Sequence, residues 1–438
     1  VLGIQGNING TSGGSGVTAS SGYFQNFGSG EPNGGGTGGE YAGQFFGGQA
    51  LWNDLTGSTG YSSSMSGQYN VMGYVLEKNL SPSVVRFTSA GGDVTIAGAV
   101  GSNKTIASLV VDSATFSASA IATTTSLSVT NSAAASISGA ISGAINLTKE
   151  GAGTLTLGGA NTYTGGTSIN AGTLQVNSST ALGPSGTISM GGGVLQYTSN
   201  NTIDYSSRFS TAAGQAYNVD TNGQNVTWAT GLTSSGATLT KLGAGTLTLS
   251  GANTYNGGSN INAGVLLANS SSALGSSGVL SFGGGTLQYS ASNTYDYSAR
   301  ISTAAGQTYK VDTNGQNVTW ATALTSSGGS LNKAGSGILT LSGANTYSGV
   351  TTVSAGTLKM GVASVGTVGA ITSSALGTGI ATVSSGSAID LNGYTLLNSA
   401  TLAGTGVSSG GALTNSSASA VTVSGPLTLS ANSSVIST

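Results

Sequence analysis

The sequence contains many short runs in which hydrophobic residues alternate with threonine or serine. Clear examples lie at residues 94–96, 127–129 and 154–157, and each is bounded by Gly, Ser or Asn. Alternation with a period of two places every second side chain on the same face of an extended strand. The pattern therefore predicts a series of short β-strands from residue 93 onward, each with one apolar face turned toward a core.

The strand pattern repeats with a period of 92 residues. Lys149, Lys241 and Lys333 mark equivalent positions in three copies of a Leu-x-Lys-x-Gly-x-Gly segment. A fixed repeat of this kind indicates stacked structural units. The third copy drifts, because its Ser-Ala-Leu-Gly at 374–377 comes ten residues later than the period requires. The predicted divisions are an N-terminal region at 1–92, first coils at 93–146, copies at 147–238 and 239–330, and a divergent copy with terminal coils at 331–438.

A finer spacing lies inside each copy. Leu155, Leu174 and Leu195 are 19 and 21 residues apart, and Ile169 and Ile188 are 19 apart. Residues about twenty positions apart share equivalent places if each coil returns to its starting point one strand spacing further along. This predicts an all-β parallel β-helix, or β-solenoid, of about 17 coils over residues 93–438. The leucines would stack inward, and Gly-Ala-Asn segments would form corners because Gly and Asn tolerate left-handed backbone.

The composition supports a β-rich body and narrows the range of functions. Charged residues make up 5% of the 438 positions, the net charge is −2, and cysteine and histidine are absent. Without cysteine the chain has no disulfide or thiolate site, and without a basic patch nucleic acid is a poor partner. No run of 18 apolar residues is present, so we expect no transmembrane segment. We also expect no metal and no cofactor, because acidic residues are sparse.

The first 92 residues differ from the rest by their glycine and aromatic content, and aromatic side chains can anchor a small core or a contact surface. We predict an N-terminal cap or assembly region, with irregular first coils as the open alternative. If this region docks on the last coil of another copy, the contact builds a head-to-tail filament. The candidate contact residues are Phe24, Phe27, Phe45, Phe46, Trp52, Leu427, Leu429 and Val435.

The few charged side chains supply weak candidates for chemistry. Glycan-degrading β-helix enzymes need carboxylates and bases clustered on one face. The best candidates are Asp204, Arg208 and Asp220, with their equivalents Asp296, Arg300 and Asp312. Because the set recurs one period later, we interpret it as ladder or corner hydrogen bonding and predict no catalytic residues and no enzymatic activity. The repeated lysines are interpreted as strand-edge residues.

Repeated tyrosines supply candidate ligand contacts. Tyr163, Tyr255 and Tyr347 stand 92 residues apart. Exposed aromatic rings could stack on surface glycans, whereas aromatic residues at repeated positions also pack over a coil or shield a corner. Repetition favours the packing role, and these three tyrosines are the candidate glycan-stacking residues for the alternative.

The repeated segment also resembles a known family. Gly-Ala-Gly-Thr-Leu-Thr-Leu, followed by Gly-Ala-Asn-Thr-Tyr and Ala-Gly-Thr-Leu, resembles the autotransporter-associated β-strand repeat of type V secreted bacterial proteins. The resemblance covers residues 151–174, 243–265 and 335–358. It implies a right-handed parallel β-helix located outside the cell or on the bacterial cell surface.

These features predict an extracellular structural protein. The solenoid would act as a surface stalk or adhesin, or as a fibre subunit that self-associates head-to-tail or laterally. A carbohydrate-binding surface module is the alternative function, and a glycan-degrading β-helix enzyme is a further one.

Overall fold

The computed structural model describes residues 115–437 without a gap and, before them, eight strands. These strands are β1 (Thr18–Ser20), β2 (Tyr23–Gln25), β3 (Tyr41–Phe46), β4 (Gln49–Asp54), β5 (Tyr69–Val71), β6 (Val84–Thr88), β7 (Asp93–Val100) and β8 (Ile106–Ser113). The chain divides into two compact units, residues 1–201 with 208–210 and residues 202–207 with 211–438. Each unit is built from parallel strands stacked in the manner of a β-solenoid.

The N-terminal strands change their mode of pairing along the chain. β1 pairs with β2, and β3 with β4, in antiparallel hairpins. From β5 onward the pairing is parallel, with β5 on β7 and β6 on β8. Parallel stacking therefore begins upstream of the boundary predicted at residues 92 and 93. Of the predicted assembly residues in this region, Phe27 and the side chains of Phe24, Phe45, Phe46 and Trp52 lie outside the described part of the chain.

The rest of the first unit contains one long strand, β9, and eight short strands that continue into the first repeat copy. They are β9 (Thr115–Asn131), β10 (Ala135–Ile137), β11 (Ile141–Ser142), β12 (Asn146–Glu150), β13 (Thr154–Leu157), β14 (Thr167–Ile169), β15 (Thr173–Val176), β16 (Ile188–Met190) and β17 (Val194–Gln196). A short 3-10 helix spans Ser206–Arg208.

The strand register confirms one predicted spacing and corrects the other. Leu155 pairs with Leu174, and Leu174 with Leu195, as the 19- and 21-residue intervals predict. The prediction that Ile169 and Ile188 occupy equivalent places is wrong, because Ile188 pairs with Thr167, which lies two positions before Ile169. Both isoleucines still face the core, since a shift of two residues keeps a side chain on the same face of a strand.

The second unit carries the remaining strands. Its strands in chain order are β18 (Ala216–Asp220), β19 (Asn225–Trp228), β20 (Thr238–Leu242), β21 (Thr246–Leu249), β22 (Ser259–Ile261), β23 (Val265–Ala268), β24 (Leu280–Phe282), β25 (Thr286–Gln288), β26 (Thr308–Asp312), β27 (Asn317–Trp320), β28 (Ser330–Ala334), β29 (Ile338–Leu341), β30 (Thr351–Val353), β31 (Gly356–Met360), β32 (Val365–Thr367), β33 (Ala370–Ser373), β34 (Ala381–Val383), β35 (Ser387–Asp390), β36 (Ala400–Gly404), β37 (Leu413–Asn415), β38 (Leu427–Ser433) and β39 (Val435–Ser437). Two 3-10 helices span Ser298–Arg300 and Val407–Ser409.

Equivalent strands of successive copies lie in different sheets of this unit. β20 and β28 begin equivalent segments, yet β20 stacks with β18, β22 and β24, whereas β28 stacks in the sheet that contains β21, β23, β25 and β26. The change occurs at β26, which pairs with β25 on one side and with β28 on the other. A 92-residue copy is therefore not a whole number of turns, and the same side chain in two copies belongs to two different sheets.

The solenoid has about 15 turns, fewer than the 17 predicted. The prediction assumed about twenty residues for every turn, but several turns are longer. Leu287 pairs with Val311, 24 positions later, and Val353 with Val383, 30 positions later. The longest turn contains an inserted antiparallel hairpin, β32 and β33.

The core is a column of inward-facing apolar side chains. In β21 and β23 the second and fourth residues are buried and the first and third are half-buried. The inward leucines, such as Leu247 and Leu266, are fully buried. The alternation read from the sequence therefore identifies the inward face of these strands. Each short strand is followed by a corner, and the corners carry most of the polar side chains discussed next.

Candidate functional site

A lysine turns inward at the start of each repeat copy. The Nζ atom of Lys241 donates hydrogen bonds to the carbonyl oxygens of Leu242 at 2.8 Å, Gly243 at 2.7 Å and Ala263 at 3.2 Å. The first two acceptors belong to its own corner, and the third belongs to the corner one turn further on. Lys241 is fully buried. The three donors of one ammonium group thus join two successive corners of the solenoid.

The same arrangement occurs in the other two copies. Lys333 donates to Ala334, Gly335 and Ala355, and Lys149 donates to the three equivalent carbonyl oxygens. We call each set a lysine staple, meaning Lys149, Lys241 or Lys333 with its three carbonyl acceptors. The interpretation of these lysines as strand-edge residues is wrong, because all three are fully buried.

Burial and local charge act against each other at each staple. Burial lowers the pKa of Lys241 to about 8, while the nearby Asp220 carboxylate acts in the opposite direction. Lys149 and Lys333 have their pKa lowered to about 8 by the same cause. A buried ammonium group loses the stabilisation that water provides. Its hydrogen bonds to the carbonyl oxygens offset part of this loss.

The residue after the staple's third acceptor is a glycine, and the backbone conformation at this position requires one. Gly264 has a φ of +60°, which side chains of L-residues rarely adopt. A β-carbon at this position would also lie 2.8 Å from the Nζ atom of Lys241. Gly264 and its equivalent Gly356 therefore leave room for the lysine and turn the chain at the same time.

An asparagine links the turns at another corner. The side-chain oxygen of Asn253 accepts from the Leu232 amide at 2.7 Å, and its amide nitrogen donates to the Ala273 carbonyl oxygen at 2.6 Å. Asn161 and Asn345 bridge three turns in the same way. The prediction that such asparagines adopt left-handed backbone is wrong, because their side chains, not their φ angles, make the corner.

The arginine of the repeated Tyr-Asp-Tyr segment also binds backbone. Arg300 donates to the carbonyl oxygens of Leu274, Gly275, Ser277 and Gly278. Arg208 makes the equivalent four bonds one copy earlier. Burial lowers the pKa of Arg300, yet four carbonyl oxygens around the guanidinium compensate for the lost water.

The candidate carboxylates likewise accept bonds from backbone amides. Asp296 accepts from the amides of Ser298 and Ala321, and Asp312 accepts from the amide of Asn314 at 2.7 Å. Asp204 and Asp220 make the equivalent bonds in the first copy. The sequence analysis interpreted six charged residues as hydrogen-bonding groups of the fold, and each of them binds backbone groups. They are Asp204, Arg208, Asp220, Asp296, Arg300 and Asp312.

The tyrosines predicted to stack on glycans lie inside the solenoid. Tyr163, Tyr255 and Tyr347 are 0% exposed, and each hydroxyl bonds to the Ser or Thr hydroxyl four residues later at 2.6 to 2.7 Å. Burial raises the pKa of Tyr255 and Tyr347. Rings without an exposed face cannot stack on a sugar, so the structure corrects this prediction in favour of the packing alternative.

Exposed apolar side chains mark a different part of the chain. Tyr295 is 57% exposed, and it replaces Ile203 of the first copy, which is 40% exposed. Most of the other exposed large apolar residues among those described fall after residue 349. They are Val350, Val365, Val368, Ile380, Val407, Leu427, Leu429 and Val435. The sequence reasoning missed Tyr295 and the hairpin that carries Val365 and Val368, although the ten-residue offset at 374–377 was a signal for the hairpin.

The predicted C-terminal assembly residues are accessible. Leu427, Leu429 and Val435 are 39%, 60% and 55% exposed on β38 and β39. Each of these strands pairs with one described neighbour, β36 and β37 respectively. Their predicted contact with the N-terminal aromatic residues stays a prediction, because those side chains lie outside the described part.

Among the residues that the structure describes, no three or more acidic side chains come together as metal ligands would. In the same residues no helix has the length and apolar character needed to cross a bilayer.

Comparison with known proteins places these corners in a family context. The Passenger-associated-transport-repeat family matches residues 147–176, 239–268 and 331–360. Each match starts two residues before a staple lysine and includes all three of its acceptors. The chain is an autotransporter passenger-like β-helix protein. Its location is extracellular or at the cell surface.

Part of the chain is also similar to a known autotransporter protein. The chain is 40% identical over 122 residues to the Adhesin BmaC autotransporter of Brucella suis biovar 1 (strain 1330). The match covers 27% of this chain and 4% of the adhesin, so the chain spans a small part of that relative's length. No solved structure matches the chain. These similarities fit a surface β-solenoid.

The lysine staples predict that stability rises with pH on the alkaline side of neutrality. Their pKa is about 8 in the folded chain and 10.5 ordinarily. Between pH 8 and about 9.5 the unfolded state therefore binds more protons, and unfolding free energy increases by at most about 1.4 kcal/mol per pH unit for each lysine. Above about pH 10 the buried tyrosines oppose this trend, because their raised pKa keeps them neutral while unfolded tyrosines ionise.

Denaturant unfolding at a series of pH values measures this rise. A variant with Lys149→Met, Lys241→Met and Lys333→Met should lose it, because methionine does not titrate. Lys310→Met is the matched control, since Lys310 is half-buried and outside the staples, and it should keep the rise. A flat profile for the unaltered chain, or an unchanged rise in the triple variant, would contradict the assignment.

Proposed function

We propose that this chain is a stalk segment of a bacterial surface adhesin, a structural role and not an enzymatic one. One observation carries the proposal. The charged side chains that recur from copy to copy bind backbone groups at the corners, as the staple of Lys241 and the hydrogen bonds of Arg300 to four carbonyl oxygens illustrate. Side chains engaged in this way hold successive turns together and are not free to bind or transform a ligand.

The repeat architecture supports a stalk because length can be added without changing the core. Repeat solenoids contact only their neighbours, so each added unit extends the stack. In the second unit, four strand-to-strand steps lead from Leu247 through Leu266, Leu287 and Val311 to Lys333. One copy therefore contributes about 20 Å at about 4.8 Å per turn.

We further propose that the stalk can act as the subunit of a fibre. The exposure of Leu429 and Val435 on β38 and β39 favours it, because those strands offer an edge for a further coil. That coil can come from a longer version of the chain or from the N-terminal region of a second copy. Only the second case builds a fibre.

Electron microscopy of negatively stained protein tests the stalk. Inserting three additional copies of residues 239–330 should lengthen isolated rods by about 60 Å. Insertion of a Gly/Ser-rich segment of equal length is the control, and it should leave the rod length unchanged because such segments are flexible. Rods that do not lengthen with added copies would refute the stalk. Long uniform fibres, shortened by Leu429→Asp, would identify the fibre form.

Carbohydrate binding is the second candidate, and the exposure of Tyr295 favours it. This ring is 57% exposed and packs against Tyr297 at a centroid distance of 5.1 Å, which holds it in place. A supported, outward ring is suited to stacking on a sugar.

A glycan array tests this candidate. Tyr295→Ala should abolish binding, whereas Tyr295→Phe should retain it, because stacking uses the ring and not the hydroxyl. Tyr255→Phe is a matched control in a buried ring and should have no effect on binding. Absence of binding by the unaltered chain, or equal binding by Tyr295→Ala, would reject the candidate.

A further inference from the structure

Four Asn-Gly pairs lie in the part of the chain that the structure describes without a gap. They begin at Asn222, Asn256, Asn314 and Asn392. An asparagine followed by glycine is prone to lose its side-chain amide. The backbone nitrogen of the next residue can attack the Cγ atom of the asparagine, and a glycine has no β-carbon to hinder the approach. The hydrogen bonds of each pair therefore decide which of the four reacts in the folded chain.

Three of the pairs lie in tight turns that hold the asparagine firmly. Asn222, Asn314 and Asn392 have φ angles of 47°, 48° and 50°, and the backbone N–H of each donates to the aspartate carboxylate two residues earlier. The Nδ2 atom of Asn314 donates to the Tyr289 carbonyl oxygen at 3.2 Å, and that of Asn392 to the Met360 carbonyl oxygen at 2.9 Å. An amide nitrogen held in this way must first break its hydrogen bond to leave. The carboxylate also opposes the negative charge that develops on the attacking nitrogen.

Asn256 is held by its side-chain oxygen and not by its nitrogen. Its Oδ1 atom accepts from the Gly236 amide at 2.6 Å, and its Nδ2 atom has no hydrogen-bond partner among the described residues. Asn256 and Gly257 are both exposed. A donor on the carbonyl oxygen stabilises the negative charge that forms there when Cγ is attacked. The exposed nitrogen can take up a proton from water and leave, so this pair has the arrangement that favours the reaction.

The glycine amide is hydrogen-bonded at all four pairs. The N–H of the glycine after Asn256 donates to the Ala237 carbonyl oxygen at 2.8 Å, and Gly223, Gly315 and Gly393 also donate to groups on other turns. Each nitrogen can attack only while this bond is open. The reaction is therefore slower in the folded chain than in the unfolded chain at every pair, and the bonds of the asparagine set the order among them.

We propose that Asn256 is a site of spontaneous deamidation in the folded chain. The Gly257 nitrogen forms a bond to the Cγ atom of Asn256 and passes its proton to water, the bond from Cγ to Nδ2 breaks, and ammonia leaves. Water then opens the resulting succinimide ring at either carbonyl carbon. The products are aspartate and isoaspartate, and in isoaspartate the main chain runs through the former side chain. One water is consumed for each ammonia released, and no oxidant or reductant takes part.

The modification changes an exposed corner of the second repeat copy, which goes beyond the stalk role. Either product adds a negative charge to a chain whose net charge is −2. Aspartate keeps an oxygen for the Gly236 amide, whereas isoaspartate lengthens the main chain at the corner. Because the reaction needs no enzyme, the modified fraction records the age of the folded chain.

Ageing the full chain in mildly alkaline buffer tests the proposal, with chain kept unfolded in denaturant as the reference. Mass spectrometry after digestion measures the conversion of each pair to aspartate or isoaspartate. Trypsin releases Asn256 in the peptide 242–300, which contains no other Asn-Gly pair. The ratio of the unfolded rate to the folded rate gives the protection of each pair by the fold. We expect this ratio to be smaller by about fivefold or more at Asn256 than at the other three, the factor that one hydrogen bond is worth.

Two variants supply matched controls. Asn256→Ser introduces the residue of the third copy, Ser348, whose hydroxyl accepts from the Gly328 amide as Asn256 accepts from Gly236. This variant should lose the conversion in its peptide and keep its thermal unfolding midpoint. Ser348→Asn creates an Asn-Gly pair at the equivalent corner of the third copy, and that pair should be protected as little as Asn256.

Several outcomes would overturn the proposal. One is protection of Asn256 that equals or exceeds that of the other three pairs. Another is a folded chain in which Asn256 stays unmodified while the unfolded chain converts. A Ser348→Asn variant that folds normally, yet resists conversion as well as Asn314 does, would also reject the role given to this corner. None of these results bears on whether added copies lengthen the rod, so the stalk is tested separately.

Discussion

The structure depends on satisfying the backbone carbonyl groups at its corners. A solenoid with strands of three to five residues turns so often that many peptide groups fall between strands, where no ladder of hydrogen bonds reaches them. A buried carbonyl oxygen without a partner costs about 1–3 kcal/mol. The chain meets this cost with side chains that donate to these carbonyl oxygens, such as the buried Lys241 and Asn253 and the half-buried Arg300. Lys241 and Arg300 each join two turns and Asn253 joins three, so the same bonds that satisfy the corners fix the stacking.

This constraint explains how a chain with so little charge uses the charge it has. The lysine staples recur in all three copies and the arginine hydrogen bonds in the first two, because equivalent corners recur there, and the staple lysines lie inside because the carbonyl groups they serve lie inside. The surface that remains is rich in Thr, Ser and Asn, with little net charge. Apolar exposure increases in the third copy, where the hairpin interrupts the repeat. The regular copies therefore suit a stalk, and the departures from regularity suit contacts.

The sequence was sufficient for the fold and insufficient for the roles of its polar residues. Leu155, Leu174 and Leu195 identified the turn spacing because an inward leucine must stack on the next one. The pairing of Ile169 with Ile188 was predicted wrongly because the corners differ in length. A shift of two residues leaves both side chains on the same face of the strand, so the alternation pattern does not reveal it. Periodicity predicts which face a residue occupies but not the path of a long side chain. For that reason Lys241 was assigned to the edge although its Nζ atom lies inside.

The lysine staples are the central claim, and chemical accessibility tests them most directly. The folded chain would be treated with an amine-reactive acetylating ester at mildly alkaline pH, and each lysine quantified by mass spectrometry. We expect Lys359, whose side chain is 27% exposed, to react in the folded chain. Lys149, Lys241 and Lys333 should react only after denaturation. Equal labelling of the staple lysines and Lys359 in the folded chain would show that the ammonium groups lie outside, and would contradict the account.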